Sequence, residues 1–160
     1  MEAKVEGQIV TYQPSFAKAF AELNYEWIEH YFSVEEEDKK ALDHPETYVR
    51  GGEIFFVLVD DEPVGTVAMV PFAQENGQVT IFELAKMAVR PDQQGRGFSR
   101  LLMQACVEYA NNCGAQEIML VTNDVLAPAL ALYEAYGFKA LAKINDVRYE
   151  RGNLEMRLQL

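Results

Sequence analysis

Glu83-Leu84-Ala85-Lys86-Met87-Ala88-Val89-Arg90-Pro91, followed shortly by Gln94-Gly95-Arg96-Gly97-Phe98-Ser99, reads as an apolar strand that passes through a glycine turn into a helix. The strand is expected over Thr80–Val89, ended by Arg90-Pro91 because the residue before proline avoids helical backbone. The helix is expected over Gly97–Asn112. There Phe98, Leu101, Leu102, Ala105, Cys106, Tyr109 and Ala110 recur at helical spacing, and Gly114 stands where a C-terminal glycine belongs. A helix start leaves about four amides without internal partners, and its dipole is positive there. Glycines clear the side chains that would keep an anion away. Arg96 and Arg100 add donors for phosphate oxygens. The segment thus suits a diphosphate. It is neither a dinucleotide fingerprint nor a P-loop, since it lacks the third glycine of the one and the Gly-Lys-Ser/Thr of the other. Taken alone, it is equally well a tight strand-to-helix connection.

Working outward, Gln8–Tyr12 reads as a short strand. Pro14 and Ser15 open a helix to about Phe32. Ser33, with Glu36 three residues on, has capping-box spacing for a second helix that ends before Pro45. Ile54–Val59 and Val64–Val70 form a hairpin around Asp60–Pro63, after a turn at Gly51-Gly52. Downstream, Glu117–Thr122 is a strand and Pro128–Tyr136 a helix stopped by Gly137. Phe138–Ile144 and Leu154–Leu160 are closing strands. Antiparallel strands followed by strand–helix–strand–helix–strand predict an α/β fold, a mixed sheet with helices on both faces. No repeat or linker divides residues 1–160, so one domain is expected.

Composition narrows the function classes. The 160 residues are 49% hydrophobic and 24% charged, ordinary for a globular chain. No apolar run of about 18 residues suggests a membrane span. Met1–Val10 carries Glu2, Lys4 and Glu6 and no apolar core, so a cytoplasmic location is expected. A formal charge of -11 disfavours nucleic acid and suits a cationic partner, although an acidic surface also serves solubility. Cys106 and Cys113 stand two helical turns apart, about 10.5 Å, too far for a disulfide. His30 and His44 have no metal-ligand spacing with each other or with the cysteines, so no metal is expected.

The stretch Glu83–Pro91 with Gln94-Gly95-Arg96-Gly97 resembles the central motif of the GCN5-related N-acetyltransferase (GNAT) family. Ala129-Leu130-Ala131-Leu132-Tyr133-Glu134-Ala135-Tyr136-Gly137-Phe138 resembles that family's C-terminal motif. The resemblance implies a GNAT fold, a mostly antiparallel sheet of about six or seven strands flanked by about four helices. It implies acetyl-CoA as cofactor and transfer of an acetyl or similar acyl group to a primary amine. The backbone at Met87, Ala88 and Val89 would pair with the pantetheine arm. The amides of Gln94, Gly95, Arg96, Gly97, Phe98 and Ser99, with Arg100, would hold the diphosphate. Ser99 stands where the family usually has Gly or Ala. Leu126 stands where it often has an asparagine, which removes one polar cofactor contact.

Acyl transfer needs a proton taken from the amine and one given to the departing thiolate. Tyr133 occupies the family's tyrosine position and is the candidate acid, against a packing role. Glu83, a carboxylate in an apolar strand, is the candidate base, against an ion pair with a neighbouring strand or, through a bulge, with Lys86. For the acceptor, a small-molecule or peptide amine, the first long helix offers Asn24, Tyr25, Trp27, Glu29 and His30. Phe20, Leu23, Trp27, Ile28 and Tyr31 have core spacing there. Glu35–Lys40 reads as a solvated helix face. Tyr149, Arg151 and Asn153 form a polar cluster before the last strand. A non-catalytic acyl-CoA sensor and a plain interaction module remain as alternatives. Strands near the C-terminus are candidates for pairing across a homodimer.

Overall fold

The computed structural model describes residues 6–146 and 148–160. Met1–Val5, including the Glu2 and Lys4 noted above, lie outside them. Seven strands form one sheet: β1 (Gln8–Thr11), β2 (Glu53–Val59), β3 (Glu62–Glu75), β4 (Gln78–Val89), β5 (Glu117–Thr122), β6 (Lys139–Lys143) and β7 (Leu154–Gln159). Their spatial order is β1-β2-β3-β4-β5-β7-β6. Every neighbouring pair is antiparallel except β4–β5. Four α-helices accompany them: α1 (Ala17–Tyr31), α2 (Glu36–Leu42), α3 (Phe98–Asn112) and α4 (Ala127–Ala135).

The apolar run of β2 is explained by burial on both faces. Phe55 and Val57 pack with Phe98, Leu102 and Cys106 of α3, and Tyr133 of α4 belongs to the same core. Ile54, Phe56 and Leu58 pack on the opposite face with Phe20 and Ile28 of α1 and Leu42 of α2. Side chains alternate across a strand, so one continuous apolar segment feeds two cores.

Some expected boundaries shift, each for a local reason. A single 3-10 turn at Pro14–Phe16 precedes α1. The capping box lies two residues later than Ser33 and Glu36. Glu35 is the N-cap, and Asp38 Oδ2 accepts the Glu35 amide at 2.8 Å. The β3–β4 hairpin is longer than expected and turns at Asn76-Gly77, both at positive φ. Asn-Gly is a strong two-residue hairpin signal, and it sets the turn here. The last strand, β7, is interior to the sheet, so β6 alone offers a free edge at that end. No helix of the described residues is long and apolar enough to cross a membrane.

Candidate active site

The parallel pair β4–β5 has only three rungs, Ile81–Glu117, Phe82–Ile118 and Glu83–Met119. Both strands continue, β4 to Val89 and β5 to Thr122, with no rung between them. A wedge therefore opens in the middle of the sheet. Just beyond the last rung β4 carries a bulge. Thr66 opposes Ala88 and Ala68 opposes Ala85, so Val67 faces both Lys86 and Met87. Lys86 absorbs the extra residue at φ 58°. A bulge bends and twists its strand, which turns β4 away from β5.

One side of the wedge is a groove of about 560 Å³. Met87, Ala88, Val89, Gln94, Gly95, Gly97, Phe98, Ser99 and Arg100 line one wall, and Leu126, Ala129 and Tyr133 line the other. Of the residues expected to hold the cofactor, only Arg96 lies off this groove, on the exposed outer side of the turn. Gly95 and Gly97 sit at φ 80° and 84°, a conformation other residues adopt only with strain. A Cβ at either would meet nothing within 4 Å, so the space before the helix is open. Among the described residues, the first amide here to reach a helical carbonyl is Leu101, bonding Gly97 O at 3.2 Å. The amides from Gly95 to Arg100 thus have no main-chain acceptor, with open space beside Gly95 and Gly97 at the positive end of α3. Free amides, a cationic rim and a strand edge leading away suit a diphosphate with a pantetheine arm.

The other side is a cavity of about 200 Å³. It shares Trp27, Phe32, Met87, Leu126, Ala129 and Tyr133 with the groove, so the two meet around Tyr133. Burial, with Cys106 nearby, pushes the Tyr133 hydroxyl up to about 12, so it stays protonated at ordinary pH. Glu83 is 8% exposed and lines the cavity. Its carboxylate accepts from Arg148, Nη1 to Oε1 at 3.1 Å and Nη2 to Oε2 at 2.8 Å. The ion-pair partner is thus Arg148 and not Lys86. The bulge does bring Lys86 to the cavity that Glu83 lines, but its Nζ goes to Asp38 and to Tyr149 Oη, at 3.4 and 3.0 Å.

The reading of Glu35–Lys40 as a wholly solvated face is corrected here. Glu36, Glu37, Lys39 and Lys40 pair at the surface, whereas Asp38 is fully buried. It turns inward because two cations meet there: Lys86 from the bulge and Arg151 from the β6–β7 loop. Burial pushes the Asp38 carboxyl up, but the Arg151 hydrogen bond, the Glu35 amide and nearby Lys86 bring it below the usual range. Burial lowers Lys86 despite Asp38. Tyr149 packs between them, its ring 4.5 Å from both Lys86 Nζ and the Arg151 guanidinium.

The first helix contributes Asn24 and Trp27 to the cavity, and Trp27 also packs against the core as expected. Tyr25 instead reaches Asp43 at 3.3 Å, and Glu29 and His30 are exposed. Tyr149 and Arg151 line the cavity, while Asn153 bonds Asp124. Arg148, Asp146 and Tyr48 also line it and were missed. Three residues before Leu126, Asn123 faces the cavity too, its Nδ2 donating to Arg151 O at 2.9 Å. Among the described residues no group of acidic, histidine or cysteine side chains could hold a metal.

A split parallel pair leading to a helix start with free amides defines a site suited to an anionic ligand with an extended arm. Residues 20–138 match the acetyltransferase (GNAT) family, well over half of the chain, and the chain belongs to that family. An uncharacterised N-acetyltransferase of Schizosaccharomyces pombe is 34% identical over 76 residues, 48% of this chain and 44% of that protein. The chain spans less than half the length of the relatives it matches in sequence. A GNAT acetyltransferase of Staphylococcus aureus Mu50 superposes with a TM-score of 0.83 at 17% identity, covering 97% of this chain and 99% of that one. The yncA protein of Salmonella typhimurium, solved with its cofactor acetyl-CoA, superposes with a TM-score of 0.77 at 19% identity, covering 97% and 94%. The expected GNAT fold is therefore present.

Proposed function

We propose that residues 1–160 form one cytoplasmic N-acetyltransferase domain that moves an acetyl group from acetyl-CoA to a primary amine, in a ternary complex. The observation that carries this is the meeting of groove and cavity around Tyr133, which lets two substrates approach one point from opposite sides. Acetyl-CoA, when bound, supplies an activated acyl thioester. The amides from Gly95 to Arg100 hold its diphosphate, and the unpaired edge of β4 at Met87–Val89 directs its arm inward. Tyr133, which lines both groove and cavity, donates the proton that the leaving sulfur needs. Glu83 accepts the amine proton, directly or through water, on lone pairs that the two Arg148 bonds leave free. Direct transfer is supported by the cysteines. Cys106 is buried with its thiol pushed well up, and neither cysteine lines the wedge.

Thermal melting with acetyl-CoA tests the binding half. Saturation at a hundred times the dissociation constant adds about 2.7 kcal/mol. No shift at millimolar acetyl-CoA removes the proposal. A shift with no thioester consumed across a broad amine panel leaves a sensor instead of an enzyme.

A further inference from the structure

Unused hydrogen-bond donors gather in one patch of the acceptor-side cavity. Lys86, Tyr149 and Arg151 line it, whereas their carboxylate partners Asp38 and Glu35 do not. Each Asp38 oxygen already accepts two hydrogen bonds: Oδ1 from Lys86 Nζ and Arg151 Nη2, Oδ2 from Arg151 Nη1 and the Glu35 amide. Glu35 accepts from Arg151 Nη1 and the Glu150 amide. These carboxylates balance the two cations without using all their N–H groups. Lys86 spends two of its three, on Asp38 and on Tyr149 Oη. Among the described residues, Arg151 Nε has no partner and the Tyr149 hydroxyl has no acceptor for its own proton. The Tyr149 ring lies 4.5 Å from both cations, so the three residues form one patch.

Acceptors gather in a second patch. Glu83 and Asp146 line the same cavity around Arg148. Each Glu83 oxygen accepts one bond from Arg148 and keeps a further lone pair. Asn24 is 2% exposed and also lines the cavity. Its Nδ2 donates to Phe20 O, which leaves Oδ1 without a donor among the described residues. The strand itself joins the patches. Glu83 and Lys86 stand three residues apart on β4, and the bulge brings both to one cavity. Lys86 holds φ 58° to do so, and backbone strain of this kind collects at binding sites.

Building on the acetyltransferase reading, we infer that the acceptor is a small amino acid, a primary amine with a carboxylate on the same short body. Its amine meets Glu83 and Asn24. Its carboxylate takes the unused N–H groups of Lys86 and Arg151 and the Tyr149 hydroxyl. Hydrogen bonds from charged donors to a carboxylate are short and strong. Ammonium and carboxylate together add no net charge, so the balance that Asp38 and Glu35 provide is kept. The decarboxylated amine leaves the donor patch unpaired, which a buried site penalises.

Calorimetric titration of the CoA-saturated chain with matched sets tests this: phenylalanine, phenethylamine and phenylalaninamide; leucine, isoamylamine and leucinamide. In each set the amino acid is expected to bind at least roughly tenfold tighter than the amine or the amide. An amine or amide that binds as tightly overturns the inference, as does a panel in which nothing binds. The readout is binding, so an amino acid that binds tightly and is never acetylated supports the inference while sinking the enzyme reading. An amine acetylated and bound as well as its amino acid does the reverse. Lys86→Met provides a second arm. It removes one donor and no group assigned to the chemistry, so the preference for amino acid over amine should fall several-fold. A lysine that only holds Asp38 in place would weaken both ligands alike, and that unchanged ratio overturns the assignment. The matched sets decide alone should this variant not fold.

Discussion

The two walls of the wedge are built from different materials. The groove wall is made of main chain: a strand edge, two glycines at positive φ and the first amides of α3. The cavity wall is made of side chains that ion pairs hold across great sequence distances, Lys86 to Asp38 over 48 residues and Arg151 to Glu35 over 116. A main-chain wall needs only a short local segment with the right torsions. A charged side-chain wall needs the whole fold in place first, and removing one member strands the others.

The largest expected effect follows from that last point. Asp38→Ala leaves Lys86 and Arg151 buried with less compensation, and should cost about 3–5 kcal/mol of stability. Acetyl-CoA affinity of the folded fraction should stay near that of the unsubstituted chain. Weakened acetyl-CoA binding equal to the loss in acceptor binding would show that the walls are not separable. The pH dependence has a definite sign. The Asp38 carboxyl lies below its ordinary value in the fold, so its stabilisation is present above about pH 4 and is lost as pH falls through the folded value. Acid melting curves of Asp38→Asn should lose that part of the slope below about pH 4.

The same contrast explains what the sequence disclosed. The strand, glycine turn and helix around Glu83–Asn112 were legible because hydrophobic period, proline and glycine act within a few residues. The groove residues from Met87 to Arg100 followed from that segment and the motif it resembles. Asp38 could not be read that way. Among Glu35, Glu36, Glu37 and Asp38, nothing local says which carboxylate turns inward. That depends on a bulge at Lys86 and a loop more than a hundred residues away. Arg148 was missed for the same reason, since its partner Glu83 lies 65 residues earlier. A local signal does exist for the β3–β4 hairpin: Asn76-Gly77 sets its length.

Tyr133 stands where the walls meet, and its substitution should affect chemistry more than either binding event. Tyr133→Phe is expected to lower kcat about a hundredfold while leaving the acetyl-CoA dissociation constant within about threefold. Burial holds the hydroxyl near 12, so kcat should show no alkaline decline from this group below about pH 11. Equal losses in kcat and in cofactor affinity would assign Tyr133 to packing instead. A smaller effect is expected at Gly97. Alanine there meets no atom within 4 Å, so its cost is the left-handed backbone itself, about 1–2 kcal/mol. Gly97→Asn tolerates that backbone better and should recover stability, yet its side chain still intrudes before the amides. Both variants should therefore bind acetyl-CoA weakly, with stability separating them.

The smallest effect sharpens the comparison most directly. Arg96 lies between the two glycines but off the groove, with its side chain at the surface. If main-chain amides carry the diphosphate, the arginine adds only a screened surface charge. Arg96→Gln should then weaken acetyl-CoA binding by about threefold at low salt, and by almost nothing at about 1 M salt, where the screening length is near 3 Å. A loss of about a hundredfold that persists in high salt would mean that side chains build this wall too. The distinction between a backbone-made cofactor side and a charge-made acceptor side would then fail at its simplest point.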